Sequence, residues 1–193
     1  MINNLKCFTK IAALLAFSVA AHADSPVPPY PKATVSGGGT AVFIMVPKTE
    51  DVRANGANGT GTMYLLGATG TLEKKWEVSG WYSHHVFLTN DGDYLVRIGP
   101  WHSGHEPKKD DLALGFFKQG RLIRSYSTKD LIRDPKQVRQ SVSHYEWRAD
   151  DAPYIGMGEF WITTVEGRFF VFDLESGDIK RVRDRPEPKG QKK

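Results

Sequence analysis

Residues 81–99 read WYSHHVFLTNDGDYLVRIG. Two runs rich in β-branched and aromatic residues, 83–89 and 93–98, flank Asn90, Asp91 and Gly92. An Asp-Gly pair between such runs predicts a β-hairpin, because glycine takes a positive φ without steric cost. Similar runs recur on both sides. Residues 40–46 (TAVFIMV) form a continuous apolar stretch fit for a buried strand, ended by Pro47. Residues 62–66 and 72–78 make a hairpin around a Gly-Ala-Thr-Gly turn, and 112–118 and 121–126 another around Gln119-Gly120. Further strands are expected at 141–148, 159–164, 168–173 and 178–182, joined in part at Glu166-Gly167 and Ser176-Gly177. Ser127, with Asp130 three residues on, predicts the start of a short helix. Asp134 followed by Pro135 opens a second helical turn through about Gln140.

The strands group into blocks at about 40–78, 83–126 and 141–183, and the last turn glycines of the blocks are Gly70, Gly120 and Gly177. Intervals of roughly 50–57 residues fit a repeated four-stranded sheet. In 112–117 and 169–172 both faces of the strand carry apolar or small residues, which predicts strands covered on both sides. Residues 86–96 (VFLTNDGDYLV) resemble the inner hairpin of a β-propeller blade of the general periplasmic type, and 170–179 (FVFDLESGDI) resemble the outer hairpin of such a blade. The resemblance implies a mainly β fold of three blade-like antiparallel sheets of about four strands each, with one or two short helices near 128–140. It implies an architecture and no activity. The third block lacks an Asp-Gly at its first turn, and propellers close with about four to eight blades. Three blocks therefore imply an incomplete ring, or one completed by self-association.

The ends of the chain bear on where it goes. Lys6 and Lys10 precede the apolar run 11–21, and Ala21-His22-Ala23 has the small-x-small form of a cleavage site. This is the pattern of a signal peptide spanning 1–23, too short to cross a bilayer as a helix. The expected destination is the bacterial periplasm or the exterior. Cys7, the one cysteine, lies inside that segment, so no disulfide or thiol chemistry is expected in the exported chain. Residues 24–39 are rich in Pro and Gly and read as an extended leader, followed by a single β domain at 40–183. Residues 48–61 read as a surface loop. The formal charge of +4 is concentrated at the end: residues 180–193 hold seven basic and two acidic side chains. The stretch 184–193 reads as a disordered basic tail. A nucleic-acid partner would call for a basic stripe on the folded part, and none is legible.

Candidate chemistry centres on the loop after the organising hairpin. Trp101-His102-Ser103-Gly104-His105-Glu106 puts two imidazoles and a carboxylate close together. Imidazole and carboxylate suit zinc, copper or nickel. His102, His105 and Glu106 are therefore candidate metal ligands, with His84, His85 or His144 able to complete a set. A polar loop that happens to hold two histidines is the competing reading. Trp101, His102, His105, Tyr82 and His144 are the candidate ligand-binding residues, since Trp and Tyr stack on sugars or anchor interfaces. The acidic pairs at Asp91/Asp93, Asp110/Asp111 and Asp150/Asp151 fit turn and loop-entry roles. No Gly-x-Ser-x-Gly elbow occurs, and adjacent Ser143 and His144 on a strand would point to opposite faces. The expectation is a non-enzymatic binding or protein-interaction module of the cell envelope, without a cofactor, taking a protein or carbohydrate ligand. The alternative is a hydrolase or metal-dependent enzyme using the loop 101–106.

Overall fold

The computed structural model describes residues 27–48 and 58–184. The expected signal peptide with residues 24–26, residues 49–57 of the expected loop and the expected tail beyond Asp184 lie outside the described residues. The first sheet runs in sequence order through β1 (Lys32–Val35), β2 (Ala41–Pro47), β3 (Gly59–Leu66) and β4 (Leu72–Ser79). The second uses β5 (Val86–Leu88), β6 (Tyr94–Ile98), β7 (Leu112–Lys118) and β8 (Arg121–Ser127). A one-turn helix α1 (Thr128–Leu131), a 3-10 turn (Pro135–Gln137) and a two-residue ladder of β9 (Arg139–Gln140) with β10 (Tyr145–Glu146) follow. The third sheet is β11 (Tyr154–Gly156), β12 (Glu159–Thr163), β13 (Arg168–Asp173) and β14 (Ile179–Asp184). All pairings are antiparallel between consecutive strands.

The fold is mainly β, with three blade-like meanders as the pattern predicts. The repeat is visible in detail. Gly70, Gly120 and Gly177 each sit in the turn between the third and fourth strand of a sheet, with φ of 81°, 80° and 74°. A register irregularity falls between the third and fourth strand in all three sheets. The first strands β1, β5 and β11 lie side by side, so the sheets converge at their inner edges.

Two apolar layers hold the sheets together. Ala41, Phe43, Met45 and Met63 of the first sheet meet Leu88, Leu95 and Phe117 of the second. Val96, Ile98, Leu114 and Phe116 of the second meet Phe160, Ile162, Phe170 and Phe172 of the third. Successive residues on a strand point to opposite faces. Leu95/Val96 and Phe116/Phe117 therefore serve one layer each, and the middle sheet is covered on both sides. The short helix starts where expected. The Ser127 side chain accepts from the Asp130 amide while the Asp130 carboxylate accepts from the Ser127 amide. Such a cap contributes about 1 kcal/mol.

Four expectations are corrected. Residues 32–35, read as part of the leader, form the inner strand of the first sheet: Lys32 pairs with Met45 and Val35 with Val42. Strand β3 begins at Gly59, because Gly61 has no Cβ to obstruct the Phe43 ring lying against it. The stretch 141–148 does not enter the third sheet. Its Ser141, Ser143, His144 and Glu146 are too polar for a strand within stacked sheets, and only β10 and isolated bridges form there. The first strand of that sheet is instead Tyr154–Gly156, which lies between the strands expected at 141–148 and 159–164. The second helical turn stops at Gln137, since Arg139 and Gln140 pair with Glu146 and Tyr145.

Candidate functional site

The loop 101–111 joins β6 to β7 and lies against residues 140–144. The Gly104 amide donates to the Ser143 carbonyl at 3.0 Å, Ser103 bridges to His144, and the Gln140 side chain donates to the His105 carbonyl at 3.3 Å. The Trp101 and His144 rings pack at 3.9 Å between centroids. These contacts fix the backbone of the loop and turn His102 inward.

His102 is buried, and its Nε2 lies 2.6 Å from the Leu112 carbonyl. A carbonyl only accepts, so Nε2 carries the proton and donates it there. Nδ1 lies 3.6 Å from the Asp111 carboxylate. Burial pushes the imidazole below its ordinary value, against the opposing pull of the Leu112 bond and Asp111. The His102 ring stacks on Tyr145 at 5.9 Å. The Tyr145 hydroxyl donates to the other Asp111 oxygen at 2.6 Å and lies 2.7 Å from Thr128 Oγ1. Burial, with the Asp111 bond, raises the Tyr145 phenol. This closed polar network ties the loop to α1 and β10.

The structure does not assemble the expected metal set. His102 is turned into the body and engaged by Leu112, whereas His105 and Glu106 are exposed. Among the described residues no three His, Cys, Asp or Glu side chains are placed to hold a metal ion. Tyr82 stands apart from Trp101, His102 and His144. Its buried hydroxyl donates to the Tyr30 carbonyl at 2.8 Å and accepts from the Tyr30 amide at 3.2 Å. Neighbouring His84 reaches the Val27 carbonyl at 3.0 Å, and Lys32 donates to the His84 carbonyl at 2.6 Å. Tyr82 and His84 thus hold the protein's own leader. His85 beside them is pushed down to about 4, first by desolvation and then by Arg148, Lys32 and His84.

A different group of residues forms an open surface. The register of the third sheet sets Tyr154 opposite Trp161, Trp161 opposite Val171, and Thr163 opposite Phe169. All lie on the face turned away from the second sheet. The Tyr154 and Trp161 rings are 4.9 Å apart, and those of Trp161 and Phe169 6.1 Å. They border an open cavity of about 420 Å³ shared with Asp151, Thr163 and Arg183. The Trp161 indole donates to Glu159 at 2.9 Å. Beyond it the face turns ionic: Lys180 lies 3.0 Å from Glu159 and 3.8 Å from Asp173, and Arg181 lies 3.3 Å from Glu159. The Lys180 and Trp161 bonds hold the Glu159 carboxyl below the usual carboxylate range. Trp161 is not among the candidate ligand-binding residues chosen from the sequence. The signal that points to this surface is the alternation of Glu159, Trp161 and Thr163 with buried Phe160 and Ile162.

Among the described residues no helix is long and apolar enough to cross a membrane. No family model and no curated protein matches the chain. Among solved structures it is similar to the C-terminal WD40 domain of Sif2, with a TM-score of 0.36 and 11% identity over 86% of this chain. The match covers 38% of that structure's own chain.

Proposed function

We propose that this protein is a non-enzymatic binding module of the bacterial cell envelope, exported by residues 1–23, and that it meets its ligand with the outer face of the third sheet. The observation that carries the reading is the aromatic row of Tyr154, Trp161 and Phe169 around an open cavity, on a face that no other sheet covers among the described residues. Its size falls within the ~300–1,000 Å³ of small-molecule sites. The geometry gives no support to hydrolysis at the histidine loop. His102, its central residue, spends Nε2 on a backbone carbonyl and is shut inside the fold. The envelope location rests on the signal-peptide pattern of residues 1–23.

Light scattering of the exported chain over a dilution series tests the reading, together with acrylamide quenching of Trp161 emission measured by difference from Trp161→Phe. A monomer whose Trp161 is quenched leaves the face free for a ligand. A concentration-independent oligomer with Trp161 shielded makes the face a subunit contact and overturns the proposal.

A further inference from the structure

We infer that the outer face of the third sheet is a carbohydrate-binding platform for a short run of neutral pyranose units. The inference rests on the binding-face reading above and names the ligand class.

The composition of the face argues against a second sheet as its occupant. The surfaces on which the sheets stack inside this molecule are apolar: Phe160, Ile162, Phe170 and Phe172 present no charge to the second sheet. The opposite side of the same strands is divided. One part is aromatic, and the other is the network of Glu159 and Asp173 with Lys180 and Arg181. A packed sheet would desolvate those four charges, which costs more than their mutual attraction returns unless the geometry is close to ideal. A ligand confined to the aromatic part leaves the ion pairs in water.

The aromatic part suits a sugar ring. A pyranose has an apolar face of C–H groups and a rim of hydroxyls, so it needs a flat π surface beside donors and acceptors. Tyr154 and Trp161 supply rigid rings with polar tips. Gly156 makes room for one of them: an added Cβ there would lie 2.5 Å from the Tyr154 hydroxyl oxygen. Trp161 is held by its bond to Glu159, and Val171 opposite it is buried beneath the platform. At the cavity wall stand a carboxylate, a hydroxyl and a guanidinium, from Asp151, Thr163 and Arg183. Together they both accept from and donate to hydroxyls. With both charge signs present at the wall, the site has no net preference for an anionic ligand.

Chitohexaose, cellohexaose and maltohexaose, each titrated against the exported chain and followed by calorimetry and Trp161 emission, test the inference. The expected result is saturable binding of at least one of them, weakened at least tenfold by Tyr154→Ala and by Trp161→Ala. Tyr154 is 46% exposed, so its removal leaves the melting temperature essentially unchanged and keeps the test valid should Trp161→Ala lose stability. Binding that survives both substitutions overturns the assignment. So does the absence of saturable binding to all three sugars when quenching shows the face open. That second outcome refutes the sugar and leaves the binding face standing, whereas a shielded Trp161 refutes the face itself.

Discussion

Replacing Tyr145 by Phe removes one oxygen atom from the polar network beneath the histidine loop and leaves the ring, 3% exposed, in its place. Two contacts go with it: the 2.6 Å bond donated to Asp111 and the 2.7 Å contact with Thr128 Oγ1. A hydrogen bond to a charged group contributes about 1.5–3 kcal/mol. The Asp111 side chain keeps 18% exposure, so water replaces part of the lost donor, and Thr128 retains a long contact to the Lys108 carbonyl at 3.4 Å. These partial replacements place the cost toward the lower end, about 2 kcal/mol. For a domain of this size that is a fall in melting temperature of about 4–8 °C. Urea unfolding followed by far-UV circular dichroism measures it directly. His105→Ala, on the exposed part of the same loop, is the control and stays within ~0.5 kcal/mol. Tyr145→Phe matching that control would show that the network does not hold the loop, and the structural role given to His102 would fall with it.

Phe160 is fully buried between the second and third sheets, its ring 5.4 Å from Phe87 and 5.9 Å from Phe116, so Phe160→Ala is expected to cost about 3–5 kcal/mol in urea titrations. A cost below 1 kcal/mol would mean that the two sheets do not pack as described. Gly177→Ala places a side chain at φ +74° and against Arg124 of the neighbouring sheet, and a loss of about 1–3 kcal/mol is expected by the same method. An unchanged urea midpoint would contradict the turn geometry. His85, pulled down to about 4, is expected to titrate in NMR well below an ordinary histidine, with Arg148→Ala raising its midpoint. Because its folded value lies below the unfolded one, its contribution to stability is present above the ordinary histidine range and declines as pH falls through that range toward the folded value. A midpoint for His85 within the ordinary range would refute the assignment.

Much of the architecture was legible because its punctuation is local. Asp91-Gly92, Gln119-Gly120 and Ser176-Gly177 mark tight turns within a few residues of the runs they join, and a capping box declares itself in the sequence from Ser127 to Asp130. The elements that escaped are those whose state is set by distant partners. Lys32–Val35 is a strand only because β2 offers it an edge, and Tyr154–Gly156 is three residues long. Residues 141–148 alternate like a strand but are shared out: Ser143 and His144 bond to the loop 101–111, Tyr145 and Glu146 to β9, and Trp147 and Arg148 to residues 164–165. The same limit governs the site. Trp101, His102 and His105 stood out by chemical type, yet burial and a bond to Leu112 decide what His102 does. Tyr154, Trp161 and Phe169 are scattered over three strands and become one surface only through register.

Strand β14 bears on how this protein fails. All six of its residues are exposed, and Lys180, Arg181 and Arg183 line it. An unpaired strand edge is a template for another chain, and charge along it discourages that pairing. Behind β14 lies β13, where Phe169, Phe170, Val171 and Phe172 follow one another without a charge. A run of that kind, once bared, has the composition of an aggregating segment. Clipping the chain ahead of Ile179 would strip away the charged strand and hand the edge to those four residues. Strand β14 thus works as a gatekeeper, and its removal by a protease would turn this domain into a seed for its own precipitation.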